Sequence, residues 1–150
     1  MNRFGSWLAG RITRGAPATA VRMLLSEEGE LSRREVKALT AEALADEEQR
    51  AFALDLYDTI TGPRRDGFDN DLDQYAATAL PLGEVTAPAL LVHARTDADV
   101  PYSHSVHASE HLPEARLVTI GSGTHVSAWV GPDAGAIQAQ VREHLAAHPL

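Results

Sequence analysis

The sequence predicts an α/β fold, a helical region followed by two parallel strands with flanking helices. Three observations carry that reading. Two short apolar runs, Ala89–His93 and Ala115–Ile120, are too short for helices, and each ends in a polar, turn-rich loop. A helix-length segment separates them, and a crossover of that kind makes the strands parallel neighbours. Ahead of them, residues 1–60 carry successive apolar stripes at helical spacing with little strand signal.

The 150 residues are 44% apolar, enough material for one domain. A formal net charge of −8 argues against nucleic acid or an anionic membrane as a partner. The chain has no cysteine, which excludes disulfides, thiolate chemistry and cysteine-based zinc sites. No apolar run approaches the length that spans a bilayer. Arg11 and Arg14 interrupt the first apolar stretch, which argues against a signal peptide and makes the cytoplasm the expected location.

Taken in order, Phe4, Trp7, Leu8 and Ile12 give Met1–Gly15 one amphipathic face, with Gly15 as the stop. Pro17 opens a short helix over Ala18–Leu25, with Val21, Leu24 and Leu25 on one side and Gly29 marking the end. Ser32-Arg33-Arg34-Glu35 fits a capping box, and the helix it starts carries Val36, Leu39 and Ala43 to about Ala45. Asp46 can cap the next helix, whose stripe is Phe52, Leu56 and Ile60. Residues 61–69 are a break with Gly62, Pro63 and Gly67.

The acidic run from Asp69 to Asp73 resembles the start of a calcium loop. Gln74 stands where that loop needs glycine, and Leu80 where it needs glutamate. The run suits the N-terminal charge of a helix from about Asn70 to Thr78. The last helix, Pro132 to about Ala147, presents Ile137, Val141, His144 and Leu145 to the sheet.

Ala89–His93 reads as a strand buried on both faces. It leads into Arg95-Thr96-Asp97-Ala98-Asp99-Val100-Pro101, and Ala115–Ile120 leads into Gly121-Ser122-Gly123-Thr124-His125. Parallel neighbours therefore bring an acid and a histidine to one sheet edge, the edge where ligands of open α/β sheets bind. An ionised carboxylate there can hold an imidazole's tautomer and stabilise the imidazolium that forms when it takes a proton.

An apolar strand, an aspartate turn, Val100-Pro101, a helix, a second strand and Gly-x-x-His resemble the end of an α/β-hydrolase. The likeness is good from about Phe68 onward and looser before it. The resemblance implies that Asp97 is the acid and His125 the base of a catalytic triad, with Asp99 as runner-up acid. It also implies a serine-type hydrolase of an ester or similar acyl bond. Residues 1–83 would be a helical cap-like region and 84–150 the C-terminal core segment. The cap helices either shape the pocket or simply pack on each other. Ala94 stands where the family usually has glycine.

The Gly-x-Ser-x-Gly elbow is absent. Gly121-Ser122-Gly123 has its glycines too close, Ser6 lacks a preceding strand, and Ser103 and Ser105 read as helix caps. No nucleophile is therefore assigned, and the chain is expected to be inactive alone. His104, His107 and His111 share a face of the crossover helix, but no carboxylate completes a metal motif, so neither metal nor cofactor is assigned. The alternative reading is a non-catalytic binding or interaction module derived from a hydrolase.

The edge of the first strand calls for a neighbour, either a preceding hydrolase segment or a second copy of the chain. A completed hydrolase would take a small ester-like molecule. The expected outcome for the purified chain is sedimentation above monomer mass; a compact, cooperatively melting monomer would contradict it.

Overall fold

The computed structural model describes residues 15–61, 71, 74–75 and 78–149. The helix expected over Met1–Gly15, the break at 61–69 and most of the segment 70–78 lie outside the described residues. The remaining elements run α1 (Pro17–Glu27), α2 (Arg33–Ala45), α3 (Glu47–Thr61), a 3-10 turn (Leu82–Glu84), β1 (Ala89–Ala94), α4 (Tyr102–His111), β2 (Ala115–Ile120) and α5 (Ala134–Ala147). Among the described residues no helix is long and apolar enough to cross a membrane.

Local chemistry sets the helix boundaries. Pro17 occupies the first turn of α1, where its missing N–H costs nothing. The capping box of α2 is complete: the Glu35 N–H donates to Ser32 Oγ, and the Ser32 N–H donates to Glu35 Oε2 at 2.8 Å. Asp46 Oδ1 accepts from the Gln49 N–H at 2.9 Å and starts α3.

Ala20, Val21, Leu24 and Leu25 of α1 join Val36 and Ala43 of α2 and Ala53 and Tyr57 of α3 in a dry core. The stripe expected on α3 is shifted by one residue. Ala53 and Tyr57 point inward, whereas Phe52, Leu56 and Ile60 are only partly buried. Phe52 stacks on Trp129, with ring centroids 5.5 Å apart, and Leu56 and Ile60 line a cavity beside His125.

β1 and β2 pair in parallel, from Ala89 opposite Ala115 to Ala94 opposite Ile120. The expectation that β1 is buried on both faces is corrected. His93 and Ala94 are buried, but Ala89 to Val92 are half-exposed. Among the described residues β2 is the sole hydrogen-bonded neighbour of β1, so the other edge stays open. A second core joins Ala94 and Ile120 to Ile137 of α5. Leu145, expected against the sheet, is 64% exposed, because two strands give the end of α5 nothing to cover.

Leu24→Ala, in the helical core, should destabilise the protein by about 2–5 kcal/mol. Leu145→Ala should stay within about 0.5 kcal/mol. Urea unfolding followed by circular dichroism measures both, and equal costs would contradict this assignment of the core.

Candidate active site

The acid and histidine loops are tied together before either carries any chemistry. Thr96 Oγ1 accepts from the Gly123 N–H at 2.8 Å and donates to the Gly123 carbonyl at 2.7 Å. The short segment between α1 and α2 then crosses both loops. Gly29 bridges antiparallel to Asp97. The Glu28 carbonyl accepts from the His125 N–H at 2.8 Å and from the Ala98 N–H at 3.3 Å, and the Glu30 N–H donates to the Thr96 carbonyl at 2.7 Å.

The crossing is tight. A Cβ on Gly29 would stand 2.8 Å from Thr124 Cγ2 and 3.0 Å from the Gly123 carbonyl, so glycine is required there by space. At Gly123 a Cβ would collide with Ser127 Oγ, which accepts from the Thr124 N–H and closes the turn that holds His125.

Asp97 and His125 meet inside this frame. His125 Nδ1 donates to Asp97 Oδ2 at 2.8 Å. The Asp97 side chain is only 3% exposed and that of His125 is 42% exposed, so the carboxylate is shielded while the ring's far side is open. Asp97 Oδ1 accepts from the Asp99 and Val100 N–H groups, each at 2.9 Å. Burial pushes the Asp97 carboxyl upward, but the hydrogen bonds from Val100, His125 and Asp99 outweigh it and hold the group below its ordinary range. Asp99, the runner-up acid, is 49% exposed and stands 3.9 Å from His125 Nε2, too far for a hydrogen bond.

Two cavities meet at His125. One, of about 360 Å³, lies along Leu90 and Val92 of β1 and reaches Asp97, Thr124 and Trp129. The other, of about 320 Å³, is walled by Leu56, Ile60 and Val126 and carries Glu28 and Asp99. Burial raises the Glu28 carboxyl above its usual range; the charges of Asp99, Asp97 and Glu27 add to the rise and His125 opposes it.

Residues 71–148 match the α/β-hydrolase family model described as TAP-like protein. The chain belongs to the α/β-hydrolase family. An α/β-hydrolase fold protein from Nakamurella multipartita shares its structure with a TM-score of 0.90 and 33% identity, over 96% of this chain and 51% of that one. This hydrolase-family chain thus spans about half the length of that relative. No curated protein matches it.

The other residues singled out from the sequence lie apart from the pair. Ser122 Oγ donates to Glu35 Oε1 at 3.3 Å, away from His125. Ser103 and Ser105, expected as caps, do not cap α4: Pro101 holds the N-cap position and no side-chain cap bond forms. Ser105 instead meets His93 at 2.7 Å. His104, His107 and His111 are exposed, and among the described residues no three potential ligands gather into a metal cluster. Ser6 lies outside the described residues.

His93, its contact with Ser105 and the Glu28–Glu30 crossing were not legible in the sequence. The one available signal was a polar ring closing an otherwise apolar strand.

The two carboxyls act on stability with opposite sign. The folded pKa of Asp97 is depressed, so its contribution is present above the ordinary carboxylate range and is lost as pH falls through the folded value. The folded pKa of Glu28 is raised, so its ionised form opposes folding at neutral pH and the penalty fades as pH falls through that raised value. Asp97→Asn should therefore destabilise at pH 7, with the loss shrinking in acid. Glu28→Gln should stabilise at pH 7, with the gain vanishing towards pH ~4. Chemical unfolding across pH checks both, and parallel profiles for the two variants would contradict the assignment.

Proposed function

We propose that this chain supplies the acid and the base of a serine-type hydrolase acting on an ester or similar acyl bond in a small molecule. One observation carries the reading: a shielded carboxylate bonds His125 Nδ1 at 2.8 Å while the ring's far side stays accessible between two cavities. Asp97 would fix the Nδ1–H tautomer, leaving Nε2 free to take a proton from a nucleophile and return it to the leaving group. Residues 1–83 would act as the cap-like region and 84–150 as the core segment. Leu56 and Ile60 support that division, since they pack against the helical core and also line the cavity beside the histidine.

The 150 residues contain no Gly-x-Ser-x-Gly elbow, so the serine would come from outside them. The open edge of β1 is where a further strand of such a segment would pair. The same absence favours a second reading, a binding module that keeps the pocket wall without chemistry.

Fluorophosphonate labelling separates the two. The chain alone should not be labelled at any serine. Joined to an elbow-bearing segment, such as one encoded upstream of Met1, it should be labelled at the elbow serine and should hydrolyse p-nitrophenyl esters. Asp97→Asn should then lower kcat by roughly 10⁴-fold, and His125→Ala should abolish labelling. Labelling that persists undiminished in His125→Ala would remove the catalytic reading, and so would labelling of a serine in the isolated chain.

A further inference from the structure

Asp97 touches a second histidine. His93, near the end of β1, is 8% exposed, and its ring lies among three oxygens. Nε2 stands 3.1 Å from Asp97 Oδ2 and 3.0 Å from the Val100 carbonyl, and Nδ1 stands 2.7 Å from Ser105 Oγ on α4. An ionised carboxylate and a carbonyl can only accept, so Nε2 must carry a proton. In the neutral ring Nδ1 is then an acceptor, and the Ser105 hydroxyl is its donor.

We propose that His93 is a positioning residue for Asp97, held in its Nε2–H tautomer by Ser105, so that the carboxylate meets His125 with one oxygen aimed and its charge retained. The inference rests on reading Asp97 and His125 as an acid–base pair. The backbone N–H groups of Asp99 and Val100 secure Oδ1; on Oδ2, His125 donates at 2.8 Å, while the His93 N–H, bonded to the Val100 carbonyl, lies 3.1 Å away. His125 sits on an open loop and must move protons, so it is a poor anchor by itself. His93 is shielded, and its other face is packed edge-on by Tyr102, whose ring centroid is 5.6 Å away. Arg95 lies over the Tyr102 ring, and Glu28 and Asp99 stand on the His125 side, so among the described residues no lysine or arginine pairs with that oxygen. A shielded carboxylate oxygen short of donors would either turn away or take up a proton.

Ser105, His93 and Asp97 also follow the order hydroxyl, imidazole, carboxylate, but Ser105 is no nucleophile. It stands on a regular helix between His104 and Val106, without the strained strand-to-helix turn that exposes a reactive serine. Its hydroxyl is engaged on Nδ1, and its effect passes through His93 to the acid.

Four local readouts test the proposal on the histidine- and aspartate-labelled chain. Nitrogen NMR of the parent protein at neutral pH should show His93 with a bare Nδ1 and a protonated Nε2. Ser105→Ala should turn this into a tautomer mixture. His93→Leu should raise the titration midpoint of the Asp97 carboxyl, a roughly tenfold smaller acid dissociation constant for the loss of the N–H that faces Oδ2 and holds the Val100 carbonyl. His93→Gln, whose amide can donate in place of Nε2, should restore most of that change.

An unmoved Asp97 midpoint in folded His93→Leu overturns the proposal, as does a shift that His93→Gln leaves uncorrected. A protonated Nδ1 in the parent chain overturns it as well, and that measurement decides the matter even where His93→Leu fails to fold. None of these readouts needs turnover. A catalytic role for His125 can therefore fail in the labelling assay while the Asp97 midpoint still moves, and the two failures are told apart.

Discussion

The Asp97 carboxylate receives two backbone N–H groups on one oxygen and the His125 ring N–H on the other, with the His93 ring 3.1 Å away, although its side chain is only 3% exposed. A carboxylate that far from water stays ionised only where donors replace its hydration, and every neighbouring element supplies part of that replacement. The turn after β1 gives the N–H groups, the loop after β2 gives His125, and β1 places His93 beside the carboxylate, with its ring bonded to Ser105 of α4. The rest of the local structure follows from keeping those donors in place. Glu28–Glu30 crosses both loops because one peptide carbonyl can satisfy the N–H of His125 and that of Ala98 together. Gly29 is the residue that allows so close a crossing.

The helical region has a structural part in the site beyond covering it. Val126 and Val130, just after the histidine, are buried in the same core as α1, α2 and α3. Trp129 stacks on Phe52, and the Gly131 N–H donates to Gln49 Oε1 at 2.9 Å. Gly131 itself adopts φ +126, where a side chain would be strained. The loop that presents His125 is thus anchored at both ends, by β2 before it and by the helices after it. Loops carrying reactive groups gain precision when a rigid frame fixes their ends. Here the frame comes largely from the first half of the chain, and the sheet contributes one pair of strands.

The open edge of β1 follows from the same arrangement. Its apolar residues from Ala89 to Val92 are only half covered, and the cavity of about 360 Å³ runs beside them to the acid and the histidine. Partly exposed apolar side chains along an open strand edge are what a packed neighbour would cover, which agrees with a chain spanning about half of its structural relative.

The sequence by itself determined the elements and their order. Ser32 and Glu35 start a helix through contacts three residues apart, Asp46 does the same, and the apolar runs before Asp97 and His125 are strands by length and pattern; each signal is local, so it survives without knowledge of the fold. It also determined that Asp97 and His125 share an edge, because a helical crossover leaves parallel strands little choice of direction. Tertiary structure alone decided how deeply each residue of α3 is buried, since Phe52 lies at the edge of the core, stacked on a tryptophan 77 positions later in the chain. It decided that β1 is half-exposed, because burial depends on how many strands flank it. It alone brought Glu28, Ser105 and His93 to Asp97. Those contacts join separate elements through carbonyls, hydroxyls and ring nitrogens, and no spacing rule in a sequence records which of these groups will face one another.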